Sequence, residues 1–146
     1  MKFSTRVDVE APAEETFAAF ADFPRYVRLA EARGARVEVL PARHFAWRAR
    51  FDWNGAARDL KGEVTQLEAP LGFTAAMAAQ LVEGGLEVAV TALGAVRSRV
   101  RVTMEWRPVT MSGRILLQSL RLVKGRLDDR FAARVAEFAA GAERRT

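Results

Sequence analysis

Hydrophobic and polar residues alternate along much of this chain, which predicts β-strands because successive side chains of a strand point to opposite faces. The opening segment places Phe3, Thr5, Val7 and Val9 on one face. The same period of two returns six times between residues 36 and 107. We therefore predict strands over residues 2–10, 36–40, 44–53, 58–67, 73–80, 85–93 and 96–107.

Two short helices are predicted between the first and second strands. Pro12 suits the first turn of a helix, and Phe17 and Phe20 lie three residues apart on its inner face. Asp22-Phe23-Pro24 ends the first helix and starts the second, which runs through about Arg33 and is stopped by Gly34.

A third and much longer helix is predicted over residues 112–143, with Ser112 as its N-cap. At 100° per residue its apolar residues fall in one stripe. The members of this stripe are Leu116, Leu120, Val123, Leu127, Phe131, Val135 and Phe138. Arg134 projects within the same stripe, so it either extends past the sheet edge to solvent or pairs with an anion, which could be an internal carboxylate or a ligand headgroup.

The short connections between successive strands predict an antiparallel sheet whose apolar face needs a cover. The terminal helix is the one predicted element long enough to provide it. We expect an α+β architecture in a single domain over residues 1–146, with a curved seven-stranded antiparallel sheet wrapped around a long C-terminal helix.

This order of elements resembles the helix-grip fold of the START and birch-pollen-allergen superfamily (SRPBCC), in its polyketide cyclase/dehydrase and lipid-transport branch. The resembling stretches are residues 3–17, residues 21–26 and the closing helix from Gly113. The resemblance covers essentially the whole chain, although the superfamily has no invariant catalytic signature. It implies a cavity between sheet and helix that holds an apolar ligand, with the second short helix near its mouth.

Composition is typical of one globular domain, with 146 residues, of which 50% are hydrophobic. The apolar fraction excludes a disordered chain, and the absence of Cys excludes disulfide scaffolds and thiolate metal sites. No run approaches the length of a membrane span, about 18–20 apolar residues, and residues 1–20 lack the apolar block of a signal peptide. We expect a cytoplasmic protein.

Positive charge is concentrated in the last third of the chain. Residues 1–95 hold 11 basic and 13 acidic residues, whereas residues 96–146 hold 12 basic and 5 acidic residues. Arg97, Arg99 and Arg101 form a predicted basic ridge on one strand face, which could meet an anionic membrane peripherally. A solvated edge, or arginine enrichment from a GC-rich genome, is the alternative reading.

Catalytic and metal-binding motifs are sparse. His44 is the only histidine, and it lies on the polar face of its strand, so neither zinc nor a histidine-dependent triad is predicted. We expect no cofactor. Nucleic acid is disfavoured because the aromatic and basic residues lie on opposite faces, whereas stacking platforms combine them.

The most informative feature is a set of large apolar side chains on the predicted inner face. They suit either an ordinary packed core or a deformable apolar pocket. Phe23 and Tyr26 would lie near the mouth of such a pocket, where the Tyr26 hydroxyl could orient a ligand. The candidate ligand-binding residues are Phe23, Tyr26, Phe45, Trp47, Phe51, Trp53, Met77, Met104, Trp106, Phe131 and Arg134.

Three functions remain open at this point. The first is binding, and transport, of a hydrophobic small molecule such as a lipid, isoprenoid or polyketide-like compound. The second is a cyclase or dehydratase, for which no set of nucleophile, base and orienting group is evident. The third is a protein- or ribosome-interaction module, which predicts a filled core and a working surface at the basic ridge. The sequence leaves the oligomeric state open.

Overall fold

A computed structural model describes residues 1–53 and 55–145 of the chain. It contains seven strands and four helices within those residues. In chain order these are β1 (Lys2–Val9), α1 (Ala13–Phe20), α2 (Phe23–Ala32), β2 (Arg36–Leu40), β3 (Phe45–Trp53), β4 (Ala56–Glu68), β5 (Gly72–Ala79), β6 (Val82–Ala92), β7 (Ser98–Pro108), α3 (Met111–Arg121) and α4 (Lys124–Arg145).

All seven strands belong to one antiparallel sheet in the order β1-β7-β6-β5-β4-β3-β2. Strands β2 to β7 follow one another as a meander, and β1 closes the order by pairing with β7 from Lys2↔Glu105 to Val9↔Ser98. A register shift between Val64 and Gln66 interrupts the pairing of β4 with β5. The predicted helix-grip architecture is confirmed.

The hydrophobic core occupies one end of the sheet. Helix α1 and the second half of α4 pack there, where Phe20 contacts Phe138 with ring centroids 5.6 Å apart. Two buried hydroxyls join this region, since Thr16 Oγ1 and Ser98 Oγ lie 2.7 Å apart and Ser98 also donates to the Ala11 carbonyl. These two buried hydroxyls are therefore paired rather than left unsatisfied.

The single helix predicted over residues 112–143 is wrong in one respect, because the chain forms two helices. α3 ends at Arg121, and the next two amides bond to carbonyls three residues back, Leu122 to Ser119 and Val123 to Leu120. Such tight bonds end an α-helix. The predicted cap is also wrong, since Thr110 rather than Ser112 accepts the Gly113 amide at 3.0 Å.

Smaller departures concern turns. Val96 and Arg97 precede β7 instead of belonging to it, and Val96 is 69% exposed. Gly34 ends α2 with a φ of 95°, as the predicted stop requires. Asn54-Gly55 in the sequence predicts a hairpin turn between β3 and β4; Asn54 lies outside the described residues, and Gly55 has a φ of 77°. No helix among the described residues is long and apolar enough to cross a membrane.

Candidate ligand-binding cavity

A cavity of about 610 Å³ lies between the concave face of the sheet and α3, at the end of the sheet away from α1. Its volume falls in the range of small-molecule sites, about 300–1,000 Å³. The walls are mostly apolar side chains of β1, β3–β7, α3 and the start of α4. They comprise Met1, Phe3, Phe51, Trp53, Ala57, Arg58, Asp59, Leu60, Ala79, Gln80, Leu81, Val82, Trp106, Leu116, Leu117, Leu120 and Leu127.

A transverse row of five residues that are neighbours across β3 to β7 ends at the cavity, and its last member, Trp106, lines the cavity. In order they are Trp47, Gly62, Met77, Gly84 and Trp106. A Cβ placed on Gly62 would overlap the Trp47 ring, and one on Gly84 would approach the Trp106 ring. Each indole ring therefore lies over the glycine of the neighbouring strand and stays close to the sheet instead of extending toward the helix.

The roof is α3, which presents Leu116, Leu117 and Leu120 to the cavity. Its first turn packs directly against the β5–β6 turn. The two backbones are so close that a Cβ on the buried Gly113 would overlap the Leu81 carbonyl. Glycine is needed where one backbone approaches another this closely. This contact and the Thr110 cap fix where the roof begins.

Two ionisable side chains line the cavity, and they are neighbours on β4. The Arg58 guanidinium lies over the Trp53 ring, 5.7 Å from its centroid, and Arg58 Nε donates to the Trp53 carbonyl at 3.4 Å. Asp59 instead accepts a 3.0 Å hydrogen bond from Arg50 Nε. Adjacent strand residues point to opposite faces, so Arg58 and Asp59 do not converge on one point. Arg58 is placed to meet a polar or anionic group of a ligand.

The second short helix does not form the mouth of this cavity. Phe23 packs into the filled end, 5.2 Å from the Phe45 ring and 5.1 Å from the Phe73 ring. Tyr26 stacks on Phe138 at 4.8 Å, and its hydroxyl donates to the Phe20 carbonyl at 2.7 Å. Burial raises the pKa of the Tyr26 hydroxyl, because the phenolate would lose its hydration. The expectation that Tyr26 orients a ligand is replaced by a structural role.

Of the other candidate residues, Phe51, Trp53 and Trp106 line the cavity. Four others belong to the filled core or its edge, and Met104 is half-buried on β7 opposite Phe3. The four residues of the core or its edge are Phe45, Trp47, Met77 and Phe131. Phe131 stands behind a lining residue, with its ring 5.8 Å from that of Phe3.

Arg134 is exposed and lies outside the cavity, where it pairs with Glu137 at 3.3 Å. The position of the buried face of α4 explains the difference from the sequence pattern. The buried face of α4 is formed by Val135, Phe138, Ala139 and Ala142, whose centre is about 90° from Arg134 around the helix at 100° per residue. Arg134 therefore extends to solvent and forms a surface ion pair, not an internal one.

The predicted basic ridge is largely neutralised by a carboxylate of β1 and one that directly follows it. Arg99 Nε donates to Asp8 at 2.7 Å, and Arg97 Nε donates to Glu10 at 2.9 Å. The hydrogen bond from Arg99 lowers the pKa of the Asp8 carboxyl. Arg101 is opposite Arg6 in the register and exposed. The ridge is thus a set of ion pairs with one free cation at its end within the described residues.

Sequence analysis missed three important lining positions. Leu117 lies outside the stripe expected for one continuous helix, Leu60 carries an ordinary inward-facing pattern, and Arg58 reads as a surface cation. The inward direction of Arg58 could have been found from the β3–β4 hairpin, because Arg58 is the cross-strand partner of the inward-facing Phe51. Among residues 1–53 and 55–145, no three His, Cys, Asp or Glu side chains are grouped to hold a metal ion.

Comparison with solved structures shows what the chain is similar to. The Zhui aromatase/cyclase from Streptomyces sp. R1128 superposes with a TM-score of 0.70 and 18% identity, covering 99% of this chain and 94% of that one. A START superfamily protein from Mycobacterium smegmatis gives a TM-score of 0.57 and 15% identity, over 88% and 95% of the two chains.

Norcoclaurine synthase from Thalictrum flavum, solved in complex with dopamine and hydroxybenzaldehyde, gives a TM-score of 0.62 and 11% identity, covering 97% of this chain and 84% of that one. No family model and no curated protein matches the sequence. At these identities the likeness establishes a START-type helix-grip fold.

Proposed function

We propose that this chain binds a hydrophobic small molecule in the cavity between the sheet and α3. The observation that carries the proposal is the volume of about 610 Å³ with predominantly apolar walls. Burying apolar ligand surface there would stabilise the complex by roughly 25 cal/mol per Å². The ligand classes that fit are lipids, isoprenoids and polyketide-like compounds, and the protein would act as their carrier.

Arg58 would orient the ligand. Its guanidinium is held over Trp53, so a polar or anionic end of the ligand would meet a cation beside an aromatic wall. The apolar part would extend toward Leu117 and Trp106. This arrangement favours an amphipathic ligand with one polar end over a pure hydrocarbon.

A cyclase or dehydratase is the second candidate, favoured by the full-length likeness to an aromatase/cyclase. Acid–base catalysis needs groups that converge on the reacting atoms. Here Asp59 is engaged by Arg50 and lies beside Arg58 on a strand, so these two groups diverge. An interaction module with a filled core is supported less, because the space at this end of the sheet is open.

The decisive experiment is native mass spectrometry on protein purified without detergent, followed by organic extraction. We expect an added mass at a one-to-one ratio that extracts as an apolar compound. Ala79→Phe, which fills the cavity from β5, should lose it. Ala78→Phe is the matched control, since Ala78 is the preceding residue on the opposite, exposed face.

Two results would count against the proposal. One is a clean apo mass that persists after incubation with mixed lipids and isoprenoids. The other is equal ligand retention by the Ala79 and Ala78 variants, which would place the ligand elsewhere. Conversion of an added polyketide-like substrate, with loss of turnover in the Ala79 variant, would favour the enzyme.

A further inference from the structure

Helix α3 is apolar on two opposite sides. Its inner side lines the cavity, whereas Met111, Ile115 and Leu122 at its outer side and end are 69%, 58% and 88% exposed. At 100° per residue these three fall within about 40° of one another. Exposed aliphatic residues in one stripe are unusual on a surface helix and mark a contact surface. We call this stripe, with Arg114 and Arg121 at its flank, the outer face of α3.

The charge around this stripe is of one sign. Residues 109–127 contain Arg114, Arg121, Lys124 and Arg126 and no Asp or Glu. Lys124 pairs with Asp128 at 3.0 Å, whereas no ion pair is found for Arg114 or Arg121 within the described residues. The two arginines lie about 80–100° from the centre of the apolar stripe, along one side of it.

A second copy of this chain is a poor occupant. A symmetric contact through the outer face of α3 would bring Arg114 and Arg121 of each copy toward the same arginines of the other. No carboxylate within α3 would compensate them. One side of an 11-residue helix, about 16 Å long, is also small beside the roughly 800 Å² per partner of a stable protein interface.

An anionic lipid surface fits both features. An interfacial helix buries its aliphatic stripe at the boundary of headgroups and acyl chains, and arginines beside the stripe meet lipid phosphates and carboxylates. We infer that the outer face of α3 docks this protein on anionic membranes. The inner side of the same helix is the cavity roof, so the docked bilayer would lie directly over the cavity.

This inference replaces the ridge of Arg97, Arg99 and Arg101 as the membrane-facing surface. Asp8 and Glu10 already neutralise Arg97 and Arg99. Attraction to an anionic surface depends on uncompensated cations. The two surfaces therefore supply a direct internal comparison.

The test is co-sedimentation of the full chain with vesicles of equimolar phosphatidylcholine and phosphatidylserine, and with vesicles of phosphatidylcholine alone. We expect binding to the mixed vesicles that weakens as salt rises. Replacing Arg114 and Arg121 by Gln should weaken it about thirtyfold, at roughly fivefold per charge. Leu122→Ser should weaken it about tenfold, because one aliphatic side chain no longer enters the bilayer.

Matched controls come from the other end of β7 and from the ridge. Val96→Ser removes an aliphatic residue of 69% exposure, and Arg97→Gln with Arg101→Gln removes two cations. Both should bind vesicles as the unaltered chain does. Circular dichroism on each variant confirms that the helices are intact.

Three outcomes would overturn the inference. They are no binding to the mixed vesicles, equal binding by the α3 and control variants, or a dimer in solution that Leu122→Ser dissociates. The last would assign the outer face of α3 to self-association. Because the readout is sedimentation of protein and not ligand uptake, failure here leaves the proposed cavity function standing.

Discussion

The indole ring of Trp47 occupies the space in which a side chain at residue 62 would lie. Gly62 is its direct partner on β4, and a Cβ there would overlap the ring. Met77 separates this pair from a second one, in which Trp106 lies over Gly84. Because each ring lies over a glycine, the large aromatic side chains stay close to the sheet. The cavity lies at the end of this row that Trp106 forms.

Gly62→Ala should destabilise the protein by about 1–3 kcal/mol, because the added methyl group must displace a half-buried indole. Equilibrium urea unfolding measures the change. Combining it with Trp47→Leu should cost less than the sum of the two single changes, as expected for residues in contact. Gly94→Ala, at a glycine with open space around it, should stay within about 0.5 kcal/mol.

Trp53→Ala should weaken binding of the neutral apolar probe N-phenyl-1-naphthylamine by about tenfold, which corresponds to ~1.4 kcal/mol. Trp53 lines the cavity and is 41% exposed, so its truncation removes ligand contact at little cost to the core. Trp47→Phe serves as the comparison, because Trp47 packs against the filled core. Loss of affinity in the Trp47 variant alone would contradict the assignment of the cavity.

Tyr26 should resist ionisation in the folded protein. Because it is the only tyrosine, phenolate absorbance reads this residue alone. Burial raises its pKa, so its contribution to stability is present below the unfolded pKa of about 10 and is lost as pH rises through the higher folded value.

In guanidinium the phenol should titrate near pH 10, whereas the folded chain should show no phenolate there. Tyr26→Phe should cost about 1 kcal/mol by removing the bond to the Phe20 carbonyl. A normal titration in the folded protein would mean that the hydroxyl is hydrated.

The pKa of the Asp8 carboxyl should lie below the ordinary aspartate value of 3.8, because Arg99 donates a hydrogen bond to the carboxylate. Its folded pKa is lowered, so the stabilising effect is present above the unfolded pKa and is lost as pH falls through the folded one. Carboxyl carbon NMR measures the shift. Arg99→Gln should return the Asp8 pKa toward 3.8, and Arg101→Gln should leave it unchanged.

Sequence patterns were sufficient for the architecture. Side chains alternate strictly along a strand, so the inward direction of Trp53 and Trp106 follows from local periodicity alone. Short connections then force antiparallel neighbours, which explains why an antiparallel sheet could be predicted. Ion pairing at the ridge could not, because Asp8 and Arg99 are 91 residues apart and meet only through the β1–β7 register.

The location of the cavity required the tertiary structure. Periodicity states which way a residue points and not what fills the space in front of it. Phe23 and Tyr26 on α2 and Trp53 on β3 are all large apolar residues that could line a pocket, yet the first two pack into the filled end of the sheet and Trp53 lies at the open end. The bend at Leu122 then separates α3, which roofs the cavity, from α4, which packs on the core. A periodicity of 3.6 runs unbroken through that bend, so residue spacing determined the faces of the helices, and packing against the sheet decided where one helix ended and the next began.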